Sequence, residues 1–181
     1  MGSHNSLLAR FDLAEYRLCR RLNRGVAYPS VRMFFKAASR LGDGVAWYLL
    51  MVALPLIYGA RGLQVSLVML VTGAAGLVVY KLMKRTFVRE RPFIRHTEIS
   101  LAQAPLDRYS FPSGHTLHAV SFTWQACAAF PELTPLLVPL AVAIATSRVV
   151  LGLHYPTDVL AGAAIGATLA ALVGFSGVAL I

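Results

Sequence analysis

Long apolar stretches separated by short polar joints set the pattern of this chain. Residues 45–60, 63–83, 114–130, 135–153 and 157–181 are runs with few charges, and a bilayer core calls for about 20 such residues per helix. They read as five spans. Trp47, Tyr48 and Tyr58 stand near the ends of the first run, where amphipathic rings favour the interface, and Pro55 inside it predicts a kink. Ala60-Arg61-Gly62 is the expected tight turn into the second run, where Gly73 and Gly76 permit close helix packing. In the last run Gly162 and Gly166 at GxxxG spacing predict tight packing, within the chain or between copies. Ahead of the spans, residues 6–24 repeat Leu7, Phe11, Ala14, Leu18 and Leu22 at three- and four-residue spacing, with Arg10, Arg17, Arg20, Arg21 and Arg24 on other faces. That pattern predicts an amphipathic helix lying on the membrane surface. Residues 26–41 are too short and too charged to span, and read as a second interfacial piece. The expected organisation is an interfacial segment over residues 1–42 and one transmembrane domain over residues 43–181, all-α, a helical bundle in the membrane.

Composition agrees with a membrane protein: 57% hydrophobic residues and a mean hydropathy of +0.63 in 181 residues, the size of one domain. The net charge of +9 does not imply a nucleic-acid partner, because only 14% of residues are charged and no basic tail is present. The basicity suits anionic lipid head groups or an anionic substrate. Cys19 and Cys127 lack metal-type spacing and are expected to be free thiols. The first 24 residues have no apolar core, so no cleavable signal is expected and the spans carry the targeting.

Candidate chemistry gathers where the apolar runs end. Titratable groups are expensive beside hydrocarbon, so a cluster at the mouth of several helices points to function. Arg148, His154 and Asp158 lie at the junction of the fourth and fifth runs, and Lys84 and Arg91-Pro92 at the exit of the second. Phe111-Pro112-Ser113-Gly114-His115 opens the third, where a turn, an N-cap hydroxyl and the backbone N–H groups of a helix N-terminus favour an anion. Counting spans puts all three stretches on one membrane face. Fixed cations, a helix N-terminus and two histidines suit phosphoryl transfer, in which charge spreads over equatorial oxygens. Pro156 fits the first position of the last helix, so Asp158 falls in its first turn, within reach of a hydrogen bond from His154. The remaining arginines of residues 84–113 read as a solvated basic loop, and Glu90 and Asp107 as solvated or paired with nearby arginines. His118 lines the same pocket or is a packed polar residue; His96 and His4 have no partners.

Lys84-x6-Arg91-Pro92, Pro112-Ser113-Gly114-His115 and Ser147-Arg148-x5-His154-x3-Asp158 resemble the three-part signature of the type 2 phosphatidic-acid phosphatase superfamily without a departure. The layout is similar to the short bacterial undecaprenyl-diphosphate and phosphatidylglycerophosphate phosphatases. The resemblance implies a lipid phosphatase in which His154 becomes phosphohistidine, Asp158 orients it and His115 protonates the leaving group. Lys84, Arg91, Ser113, Gly114 and Arg148 would hold the phosphoryl oxygens. It implies no metal or other cofactor, a lipid phosphate or diphosphate as substrate, and a bacterial inner membrane. A vanadate-dependent haloperoxidase shares an overlapping signature but resembles soluble domains. A non-catalytic binder of anionic lipid would need the cations but not His115, His154 and Asp158. Positive charge lies almost wholly on the catalytic face, with Arg61 opposite, which predicts a cytoplasmic site; the resemblance implies a periplasmic one.

Overall fold

The computed structural model describes residues 3–178, with side chains over residues 10–174. The described residues hold no strand: α1 (Ser3–Asn23), α2 (Pro29–Arg40), α3 (Ala46–Thr86), the single turn α4 (Pro92–Arg95), α5 (Gly114–Ala129), α6 (Thr134–Val150) and α7 (Pro156–Val178) follow one another. Helical turns over Arg24–Ala27 and Leu41–Val45 join α1 to α2 and α2 to α3.

α3 is a hairpin of two rods. Gly59 has φ 59° and ψ −135°, a conformation that side chains beyond glycine rarely take. The chain reverses there, because Ser66 Oγ donates to Met51 O at 2.8 Å across fifteen positions of sequence. The turn thus lies one residue before the expected one, and Gly62 belongs to the hairpin's inner face, where a Cβ would stand 2.0 Å from Leu54 O. The expected apolar runs correspond to residues 46–58 and 60–86 and to α5, α6 and α7; residues 179–181 of the last run lie outside the described residues. By length and apolarity Pro29–Thr86, Pro131–Val150 and Pro156–Gly174 can cross a membrane.

α5 is the central rod. Its Leu117, Ala119 and Ala126 are fully buried, and Phe122 joins Trp47, Met51, Met69 and Ile144 in the main core. α7 reaches α5 through its glycines: a Cβ on Gly162 would stand 2.5 Å from Ser113 O, and one on Gly166 2.3 Å from Leu117 O. The GxxxG face is therefore spent inside the chain. On the outside, Leu49, Val52, Leu56, Leu67, Val71, Val142 and Leu160 are exposed, a belt of large apolar side chains suited to lipid tails.

α1 is the expected helix, with a docked inner face that the apolar pattern did not reveal. Phe11 and Leu18 of its apolar stripe are exposed, while Glu15, Cys19 and Asn23 turn inward at four-residue spacing. Cys19 packs with Ile99, Val149 and Tyr155. Asn23 donates to Ser100 O and Val150 O, both at 2.9 Å, and accepts from Ser100 N–H at 2.8 Å. One face of α1 remains free for the membrane surface and the opposite face is docked on the bundle. Leu7, part of the expected stripe, lies outside the described side chains.

Candidate active site

Two helix-end devices set His154 in place. At the end of α6, Leu153 N–H donates to Arg148 O and Gly152 N–H to Val149 O, both at 3.0 Å, with Gly152 at φ 78°. This is a Schellman closure with glycine at the left-handed position. His154 N–H also donates to Arg148 O, at 3.0 Å. α7 begins one residue after Tyr155, and Asp158 in its first turn reaches back so that Oδ2 accepts from Tyr155 N–H at 2.8 Å, half of a capping box. The six-residue step from Arg148 to His154 and the four-residue step to Asp158 are thus one tight corner between two helices.

His154 is buried, 2% exposed. Arg91 Nη1 stands 3.3 Å from its Nε2 and can only donate, so the lone pair sits on Nε2 and the proton of the neutral ring on Nδ1. Burial first, then the charges of Arg148, Arg91, Lys84 and His115, holds its pKa well below the ordinary value, which keeps the ring neutral and nucleophilic. Those four groups come from three separate sequence stretches and converge on one imidazole.

The expected His154 to Asp158 hydrogen bond is not formed. Nδ1 and Asp158 Oδ2 are 3.7 Å apart, and Nδ1 has no hydrogen-bond partner. Asp158 is fully buried and already engaged, by Tyr155 N–H at Oδ2 and by Arg89 Nη1 at Oδ1, 2.7 Å. Its closeness favours a proton and positive charge on the Nδ1 side without a fixed bond.

The cations arrive from different directions. Arg91, 1% exposed, is anchored to Leu153 O at 2.7 Å and to Asp107 Oδ1 at 2.7 Å. Lys84 donates to the same Asp107 oxygen and to Tyr109 O at 2.6 Å. Tyr80 hydroxyl donates to the other oxygen, Oδ2. Burial pushes the Asp107 carboxyl up, but the bonds from Lys84 and Tyr80 and the charges of Lys84 and Arg91 hold it down at about 2. Arg148, 2% exposed, donates from Nη1 to Ser39 Oγ, and its buried Nε has no partner. A buried guanidinium with an unpartnered N–H beside a neutral imidazole is suited to an anion.

The opening of α5 supplies the rest. Ser113 N–H donates to Asp158 O at 3.0 Å, tying the two stretches together. Its hydroxyl pairs with Thr116 Oγ1 at 3.0 Å and makes no cap bond to the backbone, contrary to the expected role. His115 Nε2 faces Asp43 Oδ1 at 2.5 Å. All eight sequence-derived positions, Lys84, Arg91, Ser113, Gly114, His115, Arg148, His154 and Asp158, belong to this end of the bundle. Beside His115 opens a cavity of about 460 Å³, lined by Trp47, Met51, Leu70, Leu77 and Phe122 with Gly114 and His118 at its edge. His118 is both liner and packed polar residue, its Nδ1 2.9 Å from Gly114 O.

Sequence reasoning missed Ser39, Asp43, Tyr80 and the pairing of Arg89. Arg89 is no solvated loop residue: it joins Asp158 to Glu15, with Nη2 2.6 Å from Glu15 Oε2. Asp43 carries a readable signal, an acid between two glycines at the head of an apolar run; the others carry none. Among the described residues no group of three or more His, Cys, Asp or Glu stands at metal-binding spacing.

The sequence profile of the PAP2 superfamily matches residues 62–175, which include all eight sequence-derived positions. The chain belongs to the PAP2 superfamily. It is 38% identical over 109 residues to a decaprenylphosphoryl-5-phosphoribose phosphatase of Mycobacterium tuberculosis, covering 58% of each chain. It is 33% identical over 116 residues to the undecaprenyl-diphosphatase BcrC of Bacillus subtilis, covering 64% of this chain and 60% of that one. Among solved structures, LpxE of Aquifex aeolicus superposes with a TM-score of 0.74 at 26% identity, over 87% of this chain and 92% of the other. The chain thus spans about 58% to 60% of the length of these curated relatives.

Proposed function

We propose that the chain is an integral membrane phosphatase of five spans that removes the terminal phosphate from a lipid phosphate or diphosphate through a phosphohistidine on His154. The observation that carries this reading is the neutral, buried His154, with its Nε2 lone pair beside Arg91 and the orphaned Nε of buried Arg148 nearby. In the first step the Nε2 lone pair forms a bond to phosphorus, and the bond from phosphorus to the ester or anhydride oxygen breaks. His115, oriented by Asp43, gives that oxygen a proton. Lys84, Arg91, Arg148 and the start of α5 bind the equatorial oxygens. The positive charge gained by the His154 ring is met by Asp158. In the second step water attacks the phosphorus, passing a proton to His115, and the N–P bond breaks to free inorganic phosphate and neutral His154.

The apolar cavity beside His115 suits a hydrocarbon tail attached to the reacting phosphate. Relatives named for decaprenyl, undecaprenyl and lipid A substrates share that chemistry, a phosphate on a long apolar anchor. The excess of basic residues at the catalytic end supports a cytoplasmic active site in a bacterial inner membrane.

The test is phosphate release by the detergent-purified protein from phosphatidic acid, phosphatidylglycerophosphate and undecaprenyl diphosphate, with EDTA present. Release from at least one lipid, inhibited by vanadate in competition with it, is the expected result. Tight binding of all three with no release would favour a non-catalytic lipid binder.

A further inference from the structure

Asp158 is held by a ring of groups that reaches into α1, outside the signature residues, with its two carboxylates buried and Arg89 half-buried between them. Arg89 Nη1 donates to Asp158 Oδ1 and to Thr157 Oγ1, each at 2.7 Å, and its Nη2 donates to Glu15 Oε2 at 2.6 Å. Glu15 Oε1 accepts from Thr157 N–H at 3.0 Å and from the Thr157 hydroxyl. The guanidinium lies over the Tyr155 ring, 4.0 Å from its centroid, and the Arg89 carbonyl accepts from Ser110 N–H at 2.8 Å. Glu15 is 7% exposed and Asp158 is 0% exposed. A surface helix that only rests on lipid has no use for a buried carboxylate in this ring.

Charge explains what the ring does. Arg89 alone against Asp158 would form a closed, neutral pair and leave little field for His154. Glu15 takes the second edge of the guanidinium, so the three groups together carry one negative charge. Planar, two-edged binding is a property of arginine that lysine lacks. That residual charge lies on the Nδ1 side of His154, 3.7 Å from Asp158 Oδ2, where positive charge develops as the ring takes up phosphorus.

We infer that Glu15 and Arg89 are positioning residues for the phosphoryl-transfer step, and that the docking of α1 completes the catalytic end. The inference rests on the phosphatase reading and names residues that touch neither phosphate nor lipid tail. Glu15→Gln should therefore lower kcat at least tenfold with KM and the vanadate inhibition constant within twofold of wild type. Arg89→Lys, which keeps the charge but not the fork, should do the same and move the acid limb of the pH profile of kcat. Assays would use undecaprenyl diphosphate and phosphatidic acid in detergent, with melting temperatures measured alongside. Wild-type kcat in either variant, a rise in KM at unchanged kcat, or unfolding of both would overturn the inference and leave the ring a structural tie. No release from the wild-type protein would remove the phosphatase reading and this inference together, whereas wild-type turnover with unaffected variants would remove this inference alone.

Discussion

At the scale of single residues, burial and charge divide the work between the proposed nucleophile and its surroundings. Burial and three nearby cations hold the pKa of His154 well below its ordinary value, so under the proposed mechanism its protonation should not limit turnover near neutral pH. Asp107 does the opposite: two cations and a phenol keep it ionised, and it in turn keeps Lys84 and Arg91 in place. Its folded pKa of about 2 lies below the ordinary carboxylate value of about 3.9. The stability it contributes is therefore present above about pH 4 and is lost as pH falls through about 2. Melting curves of the detergent-solubilised protein between pH 5 and pH 2 should fall more steeply for wild type than for Asp107→Asn. Parallel curves would mean that Asp107 is not held by this pairing. The signature residues were legible because each lies in a short, chemically distinctive motif. Ser39, Asp43 and the Arg89 pairing were not, because their partners stand 109, 72 and 69 positions away and only the fold joins them.

At the scale of elements, the same residues shape the helices and the chemistry. Gly152 ends α6, Asp158 caps α7, and His154 is held between them. Apolar periodicity located the rods well, and it placed the hairpin turn within a residue because Gly59 and Gly62 interrupt the run. The inward face of α1 was not legible, since its buried Glu15 and Asn23 are polar and periodicity counts only apolar positions. Gly162 links packing to function, because the close approach it allows carries Ser113 N–H to Asp158 O. Gly162→Leu forces a side chain into the Ser113 carbonyl and should cost about 1–3 kcal/mol in stability and at least tenfold in kcat. Gly174→Leu, at a position with nothing within 4 Å of a Cβ, serves as the control and should leave both unchanged. Equal effects from the two would separate the α5–α7 contact from catalysis.

At the scale of the whole molecule, the proposed catalytic residues gather at one end of the bundle and the turn of the α3 hairpin lies at the other. Tyr58 stacks on Phe130 with ring centroids 3.9 Å apart, and Arg61 stands over the same ring at 5.4 Å, at the far end from His154. Arg61 therefore reports the side opposite the site. With Cys19 and Cys127 replaced, an Arg61→Cys protein in intact cells should react with a membrane-impermeant thiol reagent from outside. Protection until the cells are broken would put the catalytic end in the periplasm. The central claim, that this end transfers phosphate through His154, is tested most directly by trapping the intermediate. Rapid acid-free quenching of the purified protein with a radiolabelled terminal phosphate on undecaprenyl diphosphate or phosphatidic acid should yield a phosphoprotein that is stable to base and labile to acid. The label should map to His154 and disappear in His154→Ala, with turnover falling by more than the tenfold that corresponds to about 1.4 kcal/mol of barrier. Phosphate release from His154→Ala at more than a tenth of the wild-type rate, or label on any other residue, would contradict it.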